Sequence, residues 1–467
     1  MRYTVVLLIP LLSFGEVQSD KLLQLETRIY QLESDMNRSY QNIDDLESVV
    51  NDVERKSFTD IINFTPELRL RLDKMRYQVG SFETDHDPLH TTPERENIDK
   101  DFDLATSVRF RLNMHATVID DLKFHGRFVF QHSTQSNERL CILSKSVKSS
   151  GSVTGIDIDR AYFDYYLNAK SNYPFIFSFG ILPTSGGTPM QFAEVRARQS
   201  VFPALVFDMD SYGAILTSDL TELFGKKSFL RFVAGQAYTL DPNIYPYQCN
   251  RETIDNADIY GLYFDSYLTE KTLFSIGVNV LAHFKAHPYL GPDVSVENAT
   301  ILGDMVFFGM GIDSEDMFDS GVTSFIHSAV SHGHSNGKRD DYGEGSDGNF
   351  TRSDYAEGAL IEDWGYALYA GILYDISSSI TIGAEYNYGS QYWVAATQGA
   401  EDMYNKLATR GNVYEGYAIW NWNRYIFTKV GYMYTQEAYT GSGWHFGEPI
   451  AKGGQQQVGY LQINVSF

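Results

Sequence analysis

Six arginines, a lysine and a histidine fall on alternate positions early in the chain, opposite apolar side chains. In Glu67-Leu68-Arg69-Leu70-Arg71-Leu72-Asp73 the leucines take one face and Arg69 and Arg71 the other. The same two-residue period sets Arg109 and Arg111 against Val108, Phe110 and Leu112. It sets Lys123, His125 and Arg127 against Phe124 and Phe128, with Arg160 one segment later. Adjacent strands would bring these cations side by side. Such a ladder is costly in a dry interior unless acids balance it, and tolerable beside water. A water-filled passage lined this way would favour anions or small zwitterions. The competing reading pairs the cations with Glu67, Asp73, Asp103 and Asp164 and makes them stiffeners of a wall; the two roles are compatible.

Other candidate chemistry is weaker. His327, His332 and His334 include a His-x-His pair that could hold zinc, but a solvated loop is the simpler reading, and no metal centre is expected. Asp340 to Asp347 has glycine spacing like that of a calcium loop, without the twelve-residue pattern or the closing glutamate; a charged surface loop is expected there. There is no Gly-x-Ser-x-Gly, His-Glu-x-x-His or phosphate-loop motif, and no Cys-x-x-Cys-His. Neither an enzyme nor a cofactor is expected. Two cysteines, Cys141 and Cys249, exclude a disulfide scaffold or an iron–sulfur cluster. Both fall in long connections, and in an exported protein they are candidates for one disulfide.

The chain that must position these groups has 467 residues, with 32 Tyr, 30 Phe, 38 Gly, 13 Pro and a formal net charge of −23. That acidity excludes nucleic acid as a partner, and the aromatic content excludes a disordered acidic chain. Arg2, the apolar run Val5 to Leu12 and Val17-Gln18-Ser19 read as a secretory signal over 1–19. Over 20–58 a heptad runs through Leu22, Leu25, Ile29, Leu32, Met36, Ile43, Leu46, Val50 and Val53, with Ser39 its polar exception. It predicts an α-helical coiled coil, with Leu25, Ile29, Leu32, Met36, Ile43 and Leu46 as an oligomerisation stripe.

From about Phe64 the period drops to two. Alternating rows include Leu104 to Met114, Leu122 to Phe130, Phe175 to Ile181, Phe274 to Val280, Ile380 to Tyr388 and Ile426 to Tyr434. Segments of about nine to eleven residues suit tilted strands crossing a bilayer. Aromatics near segment ends, such as Tyr162, Tyr165, Tyr166, Trp420, Trp422, Tyr432 and Tyr434, suit two girdles. The tyrosines and phenylalanines are accordingly expected on lipid-facing rows rather than in a large core. Connections alternate between short (near 116–121, 168–174, 219–228, 268–272, 312–320, 374–379 and 423–425) and long (near 79–101, 132–157, 183–211, 237–257, 283–300, 331–363, 390–412 and 435–456). The fold class expected over 61–467 is an all-β transmembrane barrel, antiparallel, of about 16 strands, preceded by the coiled coil.

The last residues, Gln457 to Phe467, alternate Leu461, Ile463 and Val465 with Gln462, Asn464 and Ser466, and stop at Phe467. This resembles the C-terminal insertion signal of bacterial outer-membrane proteins. The whole plan resembles Gram-negative outer-membrane porins of the 16-strand general type, and the coil resembles the helical headpiece of several porin families. More narrowly, Asn63-Phe64-Thr65-Pro66-Glu67-Leu68-Arg69-Leu70-Arg71 and the stretch Gly180 to Thr217, with Pro183-Thr184-Ser185-Gly186-Gly187-Thr188-Pro189, Arg198-Gln199-Ser200 and Phe207-Asp208, are similar to a functionally uncharacterised barrel family of anaerobic and sulfur- or metal-respiring bacteria.

The resemblance implies that the long connection over 183–211 folds into the lumen as a constriction loop. Its charges are Glu194, Arg196, Arg198, Asp208 and Asp210; opposite the basic wall they would set a transverse field. The function expected is a water-filled channel for small hydrophilic solutes or ions, in a homo-oligomer (a trimer first) seated in outer-membrane lipid with its coil in the periplasm. The coil could touch peptidoglycan. The alternative is a structural barrel, sheathing or tethering a periplasmic or redox partner.

Overall fold

The computed structural model describes residues 62–80, 98–133, 155–209, 211–237, 257–286, 300–340, 358–397, 404–439, 449 and 451–466, together with helical residues Arg28, Ile29, 31–33 and Met36. The chain divides into two units, Met1–Ile62 and Asn63–Phe467. In the first, Ile29, Leu32 and Met36 are helical and exposed. The expected signal sequence and the remaining heptad positions, Leu25, Ile43 and Leu46 among them, lie outside the described residues, as do Cys141, Cys249, Asp210 and Phe467.

The second unit is a closed antiparallel barrel of sixteen strands. These are β1 (Ile62–Val79), β2 (Ala105–Ile119), β3 (Leu122–Ser133), β4 (Gly155–Leu167), β5 (Phe175–Leu182) and β6 (Ser211–Asp219). They continue with β7 (Ser228–Ala237), β8 (Ala257–Thr269), β9 (Thr272–Ala286), β10 (Thr300–Ser314) and β11 (Val322–Ser335). The last are β12 (Gly365–Ser377), β13 (Ile380–Gly389), β14 (Gly411–Asn421), β15 (Ile426–Tyr439) and β16 (Ala451–Ser466). A short segment, Ile98–Asp101, adds to β1 ahead of β2. Each strand pairs with the next, and β16 returns to β1 in a register running from Glu67↔Ser466 to Gln78↔Gln455. Closure leaves no sheet edge.

Alternation decides which face is which. Leu68, Leu70, Phe110, Phe128, Phe232, Ile372, Val430, Leu461 and Ile463 are exposed, while their neighbours Arg69, Arg109, Arg111, Arg127, Lys429 and Gln462 are buried. The apolar rows face outward and the polar rows inward, the arrangement for a barrel whose outer solvent is hydrocarbon. Trp420 and Trp422 pack together at 5.4 Å and are more than half exposed near the short-turn end. The turns there are tight: Asp120 and Asp121 join β2 to β3, and Ser378 and Ser379 join β12 to β13.

Two expectations need correction. The aromatics are not confined to outer rows: Phe202, Phe207, Tyr263, Phe284, Phe307, Tyr369 and Trp393 are fully buried. They belong to apolar clusters inside the barrel, where long connections fold in and give inward-facing rings a dry partner. And His327, His332 and His334 sit in strand β11, not in a solvated loop. Alternation sends His327 to the inner face and the other two to the outer, so the three cannot converge on one metal.

Candidate functional site

Between β5 and β6 the chain turns into the lumen through a cis Thr188–Pro189 bond and a single-turn helix, α1 (Met190–Glu194). Its second half is apolar, with Phe202, Ala204, Leu205, Val206, Phe207 and Met209 all essentially inaccessible. Phe202 meets Tyr263 of β8 edge-on at 4.5 Å, and Phe192 stacks on Phe325 of β11 at 5.6 Å. Gly187 permits the tuck: a Cβ there would overlap the Phe202 carbonyl oxygen. Asp208 is placed as a brace rather than at the arginines. It accepts the Gly186 N–H at 2.7 Å, and its own N–H donates to Ala396 at 2.8 Å, tying the segment to the connection before β14.

The tip, 194–199, turns charged and partly accessible side chains toward β1–β4 and β8. Glu194 lies 3.7 Å from Arg69 and 3.9 Å from Arg109. Arg196 approaches Glu67 at 3.8 Å. Arg127 grips Asp159 through two bonds of 2.7 and 2.6 Å, with Arg111 at 3.9 Å from the same carboxylate. Arg127 also donates to the Gln199 side chain at 3.1 Å, and Arg160 donates to the carbonyls of Gln199 and Ser185. On the far side Arg198 and Arg231 share one oxygen of Asp265, at 3.2 and 2.8 Å. Thr188 donates to Asp313, whose other oxygen meets His327 at 2.8 Å. Val195, at the bend, holds a left-handed backbone (φ 53, ψ 51) that a β-branched residue rarely adopts. It lines a recess of roughly 490 Å³ with Asn421 to Phe427, so the tip reaches the short-turn end.

The structure thus gathers Arg69, Arg109, Arg111, Arg127, Arg160, Glu194, Arg196 and Arg198 into one region. Arg71 stands apart: it bonds Asp73 at 2.9 Å and lies over the Tyr460 ring at 4.2 Å. Lys123 sits over Tyr166 at 4.8 Å, and His125 lies beside His115 and Asp164, both near the short-turn end. Of the acids expected to pair with the arginines, Glu67 and Asp73 do so, whereas Asp164 takes His125.

Sequence reasoning missed Asp159, Arg231, Asp265 and a second buried group across the lumen. There Lys406 bridges Glu385 and Glu415. Tyr369 and Tyr417 donate to Glu385 at 2.6 and 2.7 Å, and Lys429 lies 3.8 Å above the Tyr417 ring and donates to the carbonyl of Ala193 at 2.8 Å. Glu385 and Arg231 are the single charges of their strands, and Lys429 shares the inward phase of β15 with Glu437, which is the signal that could have found them. Among the described residues no group of three or more histidine, cysteine or carboxylate side chains has metal-holding geometry.

A closed antiparallel barrel with an apolar outer face and a connection folded into its lumen defines a porin-like β-barrel protein. Residues 99–462 match the family described as "Protein of unknown function (DUF3373)", and the chain belongs to that family. No curated protein matches it. Among solved structures, OprB of Pseudomonas putida aligns with TM-score 0.48 at 10% identity, covering 89% of this chain and 96% of that one. The outer membrane channel DcaP of Acinetobacter baumannii aligns at 0.44 and 13%, covering 87% and 97%. OmpF of Salmonella typhi, in complex with daunomycin, aligns at 0.43 and 11%, covering 86% and 97%.

Proposed function

We propose that this protein is an outer-membrane channel for small hydrophilic solutes, and that its passage runs between the loop tip and strands β1–β4 and favours anions. One observation carries the reading. Around the tip stand Arg69, Arg109, Arg111, Arg127, Arg160, Arg196, Arg198 and Arg231, against the carboxylates Glu67, Asp159, Glu194 and Asp265. Among the described residues, eight guanidiniums stand around the tip with four carboxylates. An excess of fixed positive charge in a confined, low-dielectric setting lowers the barrier for anions and raises it for cations. Guanidiniums suit this because each offers several donors in one plane and stays charged at any physiological pH. Multiple donors let an anion move from one partner to the next without passing through an unsolvated state.

The short turns support an orientation that puts them on the periplasmic side, as in barrels of this type. The helical segment preceding β1 would then lie in the periplasm, where its heptad would join protomers, with a trimer favoured. A structural role remains the second reading, and the buried aromatics that fill part of the lumen favour it.

The test is conductance of the purified protein in planar bilayers. Discrete steps with an anion-favouring reversal potential are expected. Changing Arg109→Glu and Arg111→Glu together should move the reversal potential toward cations. An intact barrel that gives no steps would sink the channel reading in favour of the structural one.

A further inference from the structure

We propose that His115 and His125 form a two-nitrogen chelate for a divalent transition metal on the inner wall near the short-turn end. The register of β2 and β3 sets the two histidines directly opposite each other. Both fall on the inward phase, two and four residues beyond Asn113 and Arg111 on β2, and two before Arg127 on β3. Their Nδ1 atoms face each other at 2.9 Å, with ring centroids 5.1 Å apart and planes at 77°. His115 is exposed, so water and ions reach the pair.

The separation selects a geometry. With nitrogen–metal bonds of about 2.0–2.1 Å, nitrogens this far apart subtend about 90° at the metal. A tetrahedral angle would need them about 3.4 Å apart at the same bond length. The pair is therefore matched to cis positions of a square-planar or octahedral ion, which points to Cu²⁺ or Ni²⁺ rather than Zn²⁺. In the metal-free state one Nδ1 must carry a proton toward the other; with metal bound, both present lone pairs.

A second observation supports a ligand role for His125. Its far nitrogen, Nε2, is buried and lies 3.2 Å from Asp164 Oδ2 without making a hydrogen bond. A small rotation of either side chain would let Nε2–H donate to that carboxylate, the contact that fixes the ring and raises the basicity of a metal-ligating histidine. Asp164 is itself held by the Ser178 hydroxyl, and Tyr162 stacks on the His125 ring at 4.9 Å. The nearby cations are engaged elsewhere, Lys123 on Tyr166 and Arg127 on Asp159. The protein supplies two ligands and solvent the rest, so the ion would be exchangeable.

The proposal stands whether or not the barrel conducts. Full-length protein in detergent is titrated with Cu²⁺ alone and followed by electron paramagnetic resonance. One tight copper per chain with two nitrogen ligands is expected. His115→Gln, at an exposed position, should remove one nitrogen from the signature, His115→Gln with His125→Gln should abolish the site, and Asp164→Asn should weaken it about 10- to 100-fold. Barrel integrity is checked for each variant by its heat-dependent shift in gel mobility. The idea falls if wild-type protein takes up no stoichiometric copper below millimolar concentration. It falls equally if the single histidine variant, folded, keeps the full two-nitrogen signal.

Discussion

Asp265 is fully buried and offers one oxygen to two guanidiniums, Arg198 from the loop and Arg231 from β7. Removing one member of a buried ion pair leaves a charge that nothing compensates, at a cost of about 3–5 kcal/mol. Asp265→Asn is therefore expected to lower barrel stability by about 3 kcal/mol or more in urea unfolding from micelles. Replacing Arg231 with Met in the same chain should recover part of the loss. Recovery of none would mean the pair is not coupled. The arginines themselves were readable from a two-residue period, because a cation on the polar phase of an apolar strand has one face to go to. Their partners were not. Asp159 lies close in sequence to Arg160 yet binds Arg127, since cross-strand register, not sequence distance, decides who meets whom.

At the scale of elements, strands β13–β16 show how large rings fit a curved wall. Tyr417 stands opposite Gly383, and Tyr460 opposite Gly431. A Cβ on either glycine would fall inside the neighbouring ring. The rings lie flat over bare backbone and carry their hydroxyls to Glu385 and Glu415. Gly431→Val should thus force the Tyr460 ring off the wall and cost about 1–3 kcal/mol, the usual penalty of overpacking, read as a lowered urea midpoint. The turns make a separate prediction. Lys271, between β8 and β9, donates to Asp316, between β10 and β11, at 2.7 Å. That bond and the Gly321 N–H hold the Asp316 carboxyl below the usual carboxylate range, while Asp316 and Asp319, which also accepts from Lys271, raise the Lys271 ammonium above its own. A depressed acid stabilises the fold above its unfolded value, about pH 4, and the contribution disappears as pH falls through the folded value. Carbon-13 titration of Asp316 should show the depressed midpoint and should return to the ordinary range in Lys271→Ala. The strands and the alternation of short and long connections were legible because both follow from local pattern and turn residues. What the long connections do inside the barrel was not, because inward folding depends on partners such as Tyr263, Phe325 and Ala396 that are remote in sequence.

For the whole molecule, the interior has two characters. Toward β1–β4 it is held by ion pairs and hydrogen bonds, and toward β8–β14 by packed rings and aliphatic side chains that surround buried charges such as Asp265 and Glu385. Phe202 belongs to the second kind. Phe202→Ala is expected to cost about 3–5 kcal/mol and to loosen the loop, so that conductance, if present, rises while selectivity weakens. A stability loss with unchanged conductance would separate the loop from the passage. The distribution of charge was legible as well as its sum, since acidic residues gather over 20–58 and Asp340 to Asp347 while the early strands carry the arginines. The net −23 therefore coexists with an arginine-rich lumen.

Closure also imposes an order of assembly. Arg71 bonds Gln462 across 391 positions of sequence, and β1 has no second neighbour until β16 arrives. The loop between β5 and β6 is synthesised early, but the residues that receive it, Phe325, Ala396 and Lys429, come much later. Until then Phe192, Phe202 and Phe207 have nowhere to be buried. A chain that reached its membrane through an aqueous space would do so with its future interior and its future exterior both wet, and a holding chaperone that masks apolar segments would have two distinct sets of them to cover.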